Sequence, residues 1–307
     1  MRNNLICGIV LSLCLICVPG KSVEASTYDS FWEMIYQNFD LLPEYHIEAD
    51  IFMFFLHKNS YFKNRYYLEN NTNIDFVFLS FKDLVYSVWY FELQTGMGQT
   101  PGNVVFDPMD INFGIIPTIE VRSPLLRFQG GLNHHCFHEI DRKDFPTIYW
   151  NKLFLAVGSD NMHLSDFWNN LTQKNAWNYK NRFSWNINWG YYLRKFFGVV
   201  RETTINGENW KVHDVTIDAR FAFYQRRSWI FCTRGKTVLG FWKDQPDEIE
   251  NSGAYWRQEF SFEPNFRMGK RGAMLFLTYT LDSFPLFHGM PRLSRDQLLQ
   301  IGVRFFN

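Results

Sequence analysis

The segment Tyr179–Leu193, YKNRFSWNINWGYYL, alternates between apolar and polar side chains. One parity carries Tyr179, Phe183, Trp185, Ile187, Trp189, Tyr191 and Leu193, and the other carries Lys180, Arg182, Ser184, Asn186, Asn188 and Gly190. Because successive strand side chains point to opposite faces, the pattern predicts a strand with one apolar and one polar face. Strands of globular proteins average about 5–6 residues and membrane strands need about 9–11. A pattern of about 15 residues is therefore long enough for a membrane-spanning strand.

The same alternation recurs in Val215–Tyr224, in Ala273–Leu281 and, more briefly, in Ile119–Arg122. Asp218 and Arg220 are costly against a packed core but natural against a water-filled or salt-bridged lumen. Weaker candidate strands cover residues 50–57, 74–81, 84–93, 103–107, 125–133, 147–157, 228–233, 237–242 and 256–262. Closure removes unpaired strand edges and places the aromatic face in lipid. We therefore expect an all-β fold, a transmembrane antiparallel β-barrel of about 12 strands with a short N-terminal helix.

The composition and the C-terminal pattern favour the same class. The chain has 31 basic and 31 acidic residues, which argues against a nucleic-acid-binding protein because such proteins need a basic excess. Near the C-terminus, Leu299, Ile301, Val303 and Phe305 alternate with Gln300, Gly302 and Arg304. Bacterial outer-membrane barrels typically end in such a strand, closed by an aromatic residue that the barrel assembly machinery recognises. Here Asn307 takes the place of that residue.

The N-terminal residues predict export. Arg2 precedes the apolar run Leu5–Val18, and small residues follow up to Ala25, so residues 1–25 are expected to be a signal peptide, with an uncleaved anchor as the alternative. Residues 26–46 are expected to form an N-terminal helix in the periplasm or the lumen, and residues 47–307 the barrel. The mature chain would keep Cys136 and Cys232, whose pairing the sequence leaves open.

The predicted connections fall into two classes. Three connections are long and are polar or contain Pro and Gly: residues 159–177, 243–255 and 282–298. Three others are short: residues 225–227, 234–236 and 264–271. Long loops at one rim and short turns at the other are typical of outer-membrane barrels.

Two further stretches resemble a known family. Asp110 precedes Ile-Asn-Phe-Gly-Ile-Ile-Pro117, and Gly130–Asn133 leads into His134-His135-Cys136-Phe137-His138-Glu139-Ile140-Asp141. These stretches resemble a family of uncharacterised bacterial outer-membrane barrel proteins, a domain of unknown function with a Gly-x-x-His-x-x-x-His-x-x-Asp-Glu pattern. Arg142 stands where the family has Glu, and Cys136 and Phe137 replace its serines. The resemblance implies a fold and a location, but no activity.

The candidate polar cluster is His134, His138 and Asp141. Together with His135 and Cys136, these residue types suit a zinc or other transition-metal site, and a polar rim cluster is the alternative; the prediction is no metal and no cofactor. The chain has no Gly-x-Ser-x-Gly elbow. The expected lumen-facing charges are Glu120, Arg122, Lys180, Arg182, Asp218, Arg220 and Arg304. The expected lipid-facing residues are Phe183, Trp185, Ile187, Trp189, Tyr191, Phe221, Leu275, Leu277, Val303 and Phe305.

We therefore expect a barrel in the bacterial outer membrane that acts as a narrow channel or as a structural or surface barrel. Its expected partners are outer-membrane lipid, the barrel assembly machinery and small solutes, with no nucleic acid. Two other classes stay open. One is a barrel-embedded lipid-modifying hydrolase that would need His134 or His138, and the other is a soluble secreted sugar-binding β-sandwich.

Overall fold

The computed structural model describes residues 38–56, 68–99, 105–140, 147–172, 178–193, 204–206, 211–242, 254–268, 271–282 and 296–307. The chain divides into Met1–Phe39 and Asp40–Asn307, and the second unit carries the fold. The predicted signal peptide lies outside the described residues, as does the predicted N-terminal helix up to residue 37.

The described residues form thirteen strands and two helices. The strands are β1 (Phe39–Leu56), β2 (Leu68–Phe81), β3 (Val85–Gln99), β4 (Val105–Arg122), β5 (Leu126–Glu139), β6 (Thr147–Ser159), β7 (Phe183–Tyr192), β8 (Thr204–Asn206), β9 (Lys211–Arg226), β10 (Trp229–Trp242), β11 (Ala254–Met268), β12 (Arg271–Asp282) and β13 (Asp296–Phe306). The helices are α1 (Leu164–Thr172) and α2 (Tyr179–Arg182). In the part of the chain that is described, neither helix has the length and apolar character needed to cross a membrane.

Twelve of these strands close into a ring. Each is hydrogen-bonded to its neighbours in the order β1 to β7 and then β9 to β13, and β13 pairs antiparallel with β1, where Glu48 lies opposite Phe306. The short strand β8 stands outside this order and pairs in parallel with residues 147–149 of β6. The prediction of an antiparallel barrel of about 12 strands is confirmed.

Several predicted boundaries differ from the structure. β1 begins at Phe39 and not at residue 47, since its alternation already includes Glu44 and Tyr45. Residues Tyr179–Arg182 are helical and not part of the strand, which has 10 residues from Phe183. The cause is Asn178, whose side-chain oxygen accepts a hydrogen bond from the Asn181 amide at 2.9 Å and so caps the helix.

Two pairs of predicted strands are in fact single strands. Residues 228–233 and 237–242 were predicted to be two strands with a turn between them. Both belong to β10, because Arg234 and Lys236 keep the alternation and Gly235 pairs with Ala219. Residues 103–107 and 119–122 were predicted to be two separate strands, but both lie in the single strand β4, which runs from Val105 to Arg122.

The two ends of the ring differ in their connections. At one end, hereafter the short-turn end, tight turns join β2 to β3 and β9 to β10, and Lys82, Asp83 and Arg227 adopt positive φ angles of 50–54° there. The C-terminus of β13 lies at the same end, where the Asn307 side chain accepts a hydrogen bond from the Ile47 amide at 2.7 Å. The connections at the opposite, long-loop end lie mostly outside the described residues.

Each strand presents an inner and an outer face. Inward residues of β11 are polar and buried, as Glu263 and Asn265 show, whereas its outward Phe260 is 55% exposed. The same division holds on β12, where Met274 is buried and Leu275 is exposed. The alternation of the sequence therefore separates an apolar outer face from a largely polar lumen.

The connection between β6 and β7 contains α1, which packs inside the ring. Its apolar side chains belong to a buried cluster with inner-face residues of β9, β10, β12 and β13. That cluster consists of Leu164, Phe167, Trp168, Leu171, Ala222, Ile230, Cys232, Met274 and Phe306. Residues 159–177 were predicted to be a long loop, but they contain a helix that fills the lumen at the short-turn end.

Candidate functional site

Ion pairs between strands cross the inner face of the barrel. Arg220 Nε lies 2.7 Å from Glu263 Oε2, and both side chains are buried. Arg304 donates to Asp50 across the junction of β13 and β1, with Nε at 2.6 Å from Oδ1. These pairs occupy the lumen with charged groups that satisfy one another.

A second group of contacts holds α1 in the lumen. Arg127 Nη2 lies 2.6 Å from Asp166 Oδ2 in the first turn of the helix. His163, just before α1, lies 2.8 Å from the buried carboxylate of Glu120. At the centre of the helix, the Trp168 ring stacks on Phe306 with 6.1 Å between centroids. Helix α1 is therefore fixed by both polar and aromatic contacts.

A polar cavity of about 320 Å³ lies in the lumen. Its wall contains four carboxylates, Asp50, Glu69, Glu259 and Glu263, and four cations, Arg234, Lys236, Arg257 and Arg304. Most of these groups are paired, as in the contact of Arg257 with Glu259 at 2.8 Å. The cavity therefore has balanced charge.

The predicted lumen-facing charges fall into two sets. Five of them lie at inward positions of β4, β9 and β13: Glu120, Arg122, Asp218, Arg220 and Arg304. The other two, Lys180 and Arg182, lie on α2. Arg182 Nε donates to the Ala222 carbonyl at 2.8 Å, and its guanidinium lies over the ring of Phe221 on the outer face. Arg182 thus ties α2 to β9 and does not line the central lumen.

The predicted lipid-facing residues lie at outward positions of β7, β9, β12 and β13: Phe183, Trp185, Ile187, Trp189, Tyr191, Phe221, Leu275, Leu277, Val303 and Phe305. The most exposed of them are Leu275 and Phe305, at 53% and 54%.

A small polar cluster interrupts the outer face near the long-loop end. His134, Cys136 and His138 are alternate residues of β5, on the same face as Phe128, which is 49% exposed. Cys136 Sγ lies 3.0 Å from His138 Nε2, and the His138 ring stacks on Phe113 of β4. On β6, Asn151 pairs in register with His134, and its Oδ1 lies 2.8 Å from His134 Nδ1. We call these four residues, His134, Cys136, His138 and Asn151, the outer-face cluster.

Asp141, the third predicted member of the polar cluster, lies outside the described residues. His135 points the other way, into the lumen, where its ring stacks on Trp150 at 5.1 Å and lies 3.3 Å from Glu92. Among the described residues, no group of three or more His, Cys, Asp or Glu side chains is arranged to hold a metal ion. Cys136 and Cys232 are both free thiols, the first on the outer face and the second buried in the lumen.

Sequence reasoning missed α1 and Asn151. Leu164, Phe167, Trp168 and Leu171 follow the i, i+3, i+4, i+7 spacing of an amphipathic helix, so the signal for α1 was present. Asn151 carried no such signal, because its proximity to His134 depends on the register between β5 and β6.

Comparison with known proteins gives only a structural likeness. No family model and no curated protein matches the chain. Among solved structures, the chain is similar to outer membrane phospholipase A from Escherichia coli, with 9% identity, a TM-score of 0.49, and coverage of 84% of this chain and 91% of that one. It is also similar to the KdgM porin, at 7% identity, TM-score 0.42 and coverage of 85% and 98%. The chain is similar, too, to LpxR from Salmonella typhimurium, with 7% identity, a TM-score of 0.42, and coverage of 85% of this chain and 99% of that one. The function has to be inferred from the side chains of this chain.

Proposed function

We propose that the protein is a bacterial outer-membrane β-barrel with a narrow lumen that α1 closes at the short-turn end. The observation that carries this proposal is the apolar outer face of a ring without a free edge. In hydrocarbon, every backbone polar group needs a partner within the protein, and a closed barrel provides one. In water, the same exposed aromatic and aliphatic surface would favour aggregation.

The dimensions and the aromatic positions support this location. The twelve strands of the ring have 10–18 residues, which meets the requirement of about 9–11 residues for a membrane strand. Aromatic side chains lie near both ends of the outer face. Tyr224 and Trp229 flank the turn between β9 and β10, and Tyr191 and Phe241 lie toward the long-loop end. Such girdles are typical of the two membrane interfaces.

The position of α1 supports a closed pathway over a wide general porin. Phe167 and Trp168 are completely buried in the lumen. A 12-stranded barrel lies between the 8-stranded barrels that side chains fill and the 16-stranded porins that hold an aqueous channel. A short helix is therefore enough to close a lumen of this size. Passage of a small solute would require α1 to leave its site.

Fractionation tests the location. We expect the full-length protein in outer membranes, extracted only by detergent, with a band that changes its mobility on heating. Recovery from periplasm or medium without detergent would refute the membrane assignment and favour a soluble secreted protein.

Conductance in planar bilayers tests the closed lumen. We expect little or no conductance from the wild-type protein and open events from the Phe167→Ala/Trp168→Ala double variant, because that variant loses the aromatic contacts that hold α1. Phe305→Ala is a matched control, since Phe305 lies on the outer face. Large, steady conductance from the wild type would refute closure. If the double variant also shows no conductance, the result would favour a purely structural barrel.

A further inference from the structure

We propose that the outer-face cluster is a thiol-dependent acyl-hydrolase site that acts on the acyl esters of membrane lipids. This activity goes beyond the proposed barrel function, because it uses the opposite face of the wall from the lumen. Cys136 would be the nucleophile and His138 its general base.

The first argument is the polarity of the cluster. His134, Cys136 and His138 are partly exposed on a face whose neighbouring outward residues are apolar, among them Ile115 and Leu153. Outward positions of such barrels are mostly apolar up to the headgroup level, so a convergence of ionisable groups there is unusual, and such groups usually serve a function. Three such groups converge here on β5, and they are joined by Asn151 of the adjacent strand β6, which is completely buried.

The second argument is the chemistry of the contacts. The distance of 3.0 Å between Cys136 Sγ and His138 Nε2 allows direct transfer of the thiol proton. Stacking on Phe113, at 5.5 Å and nearly parallel, fixes the plane of the His138 ring. A nucleophile, a base within hydrogen-bond reach and a group that orients the base are the elements of a nucleophilic site.

The contact between His134 and Asn151 gives the cluster a second proton acceptor, His134 Nε2. Because the Asn151 side-chain oxygen accepts, His134 Nδ1 is the donor of this hydrogen bond, and His134 Nε2 keeps its lone pair. His134 and Cys136 are alternate residues on one face, with Cα atoms about 6.6–6.8 Å apart in an extended strand. His134 is therefore close enough to activate a water molecule for the second step.

The third argument is the height of the cluster in the membrane. Cys136 lies ten residues beyond Leu126, where β5 begins at the short-turn end. At about 3.3 Å per residue and a tilt of about 40°, this distance corresponds to a height of about 25 Å. The apolar band of such barrels is also about 25 Å tall. With the lower edge of the apolar band set at Leu126, Cys136 lies at the border of hydrocarbon and headgroups, where lipid ester bonds are found.

The reaction would proceed in two steps. The Cys136 sulfur attacks the ester carbonyl and forms a thioester, while the thiol proton passes through His138 to the departing lipid alcohol. Water, activated by His134, then attacks the thioester carbonyl, the C–S bond breaks, and a proton returns to the sulfur. The products are a free fatty acid and a lysolipid, and no oxidant or reductant is needed.

The test uses the purified full chain in mixed micelles with phosphatidylethanolamine in one arm and lipid A in the other. We expect fatty-acid release in at least one arm, together with an acyl adduct on Cys136 that hydroxylamine removes. The arm that reacts identifies the lipid. Cys136→Ala should abolish both signals, and Cys232→Ser should change neither, because Cys232 is buried in the lumen.

The histidine variants separate catalysis from structure. His138→Ala should lower the rate of adduct formation about 10²–10⁴-fold, as expected for loss of a general base. His134→Ala should let the adduct accumulate. His213→Ala is the matched control, since His213 also lies on the outer face and stacks on Phe241, and it should leave the rate unchanged. Heat-modifiable mobility shows that each variant has folded. Absence of release and of adduct from the folded wild-type protein, or equal rates in wild type and Cys136→Ala, would overturn the proposal.

Discussion

Replacement of Trp168 by alanine should free α1 from the lumen and expose Cys232. Trp168 is completely buried, stacks on Phe306 and belongs to the same apolar cluster as Cys232, which is also completely buried. Loss of the indole removes the largest side chain that anchors the helix. It leaves a cavity that the rigid strands of the barrel wall cannot readily fill.

The magnitude follows from the burial. Truncation of a fully buried tryptophan to alanine costs about 3–5 kcal/mol. If docking of α1 is a local equilibrium, that cost raises its opening constant about 10²–10³·⁵-fold, since each 1.4 kcal/mol is a factor of ten. When reclosing is faster than labelling, the labelling rate of a protected group rises by the same factor.

The assay is labelling of Cys232 by a water-soluble maleimide in a Cys136→Ala background, followed by mass spectrometry. The control is Trp189→Ala, because Trp189 is 43% exposed on the outer face and does not contact α1. We expect fast labelling in Trp168→Ala and slow labelling in both the parent and the control. Equal rates in all three proteins, with barrels that remain folded, would refute the role of Trp168 in holding the helix.

Three further changes test the wall of the barrel. Glu263→Ala should destabilise the protein by about 3–5 kcal/mol in urea titrations of vesicle-inserted protein, because it leaves Arg220 buried without its carboxylate; a loss below 1 kcal/mol would contradict this. Gly114→Ala should lower the temperature of the heat-induced mobility change, since its Cβ would lie 2.8 Å from the His135 ring, and an unchanged temperature would show that the ring moves at little cost. Leu275→Arg should cost about 2–4 kcal/mol if Leu275 meets the middle of the bilayer, and an unaltered urea midpoint would place this residue outside the hydrocarbon.

The fold could be predicted from the sequence because a period of two is a local signal. In β9, the alternation of Ile217 with Asp218 and Arg220 already separates the two faces. The limits of the strands were harder to predict, because a cap such as Asn178 acts on backbone groups and leaves the alternation of Tyr179–Leu193 intact.

Helix α1 shows a different limit of prediction. Its four apolar residues had helical spacing, but the polar residues between them are equally typical of a surface loop. Its place in the lumen depends on small inner-face residues of other strands, such as Ala222 and Cys232, which leave room for Phe167 and Trp168. Sequence cannot supply that information until the order of the strands is known.

The candidate site was partly predictable for the same reason. Alternation alone places His134, Cys136 and His138 on one face, but the contact with Asn151 needs the register of β5 against β6. A shift of one residue would send these side chains into the lumen and His135 outward.

The inner packing of β5 therefore sets the geometry of the outer-face cluster. The His135 ring stacks within 5° of parallel on Trp150, and Gly114 leaves the space that the ring occupies. The same two strands place His134 opposite Asn151, one residue from the His135–Trp150 pair. An aromatic contact in the lumen thus fixes the register that brings polar groups together on the outside. The two faces are chemically separate, but the backbone that carries them is shared.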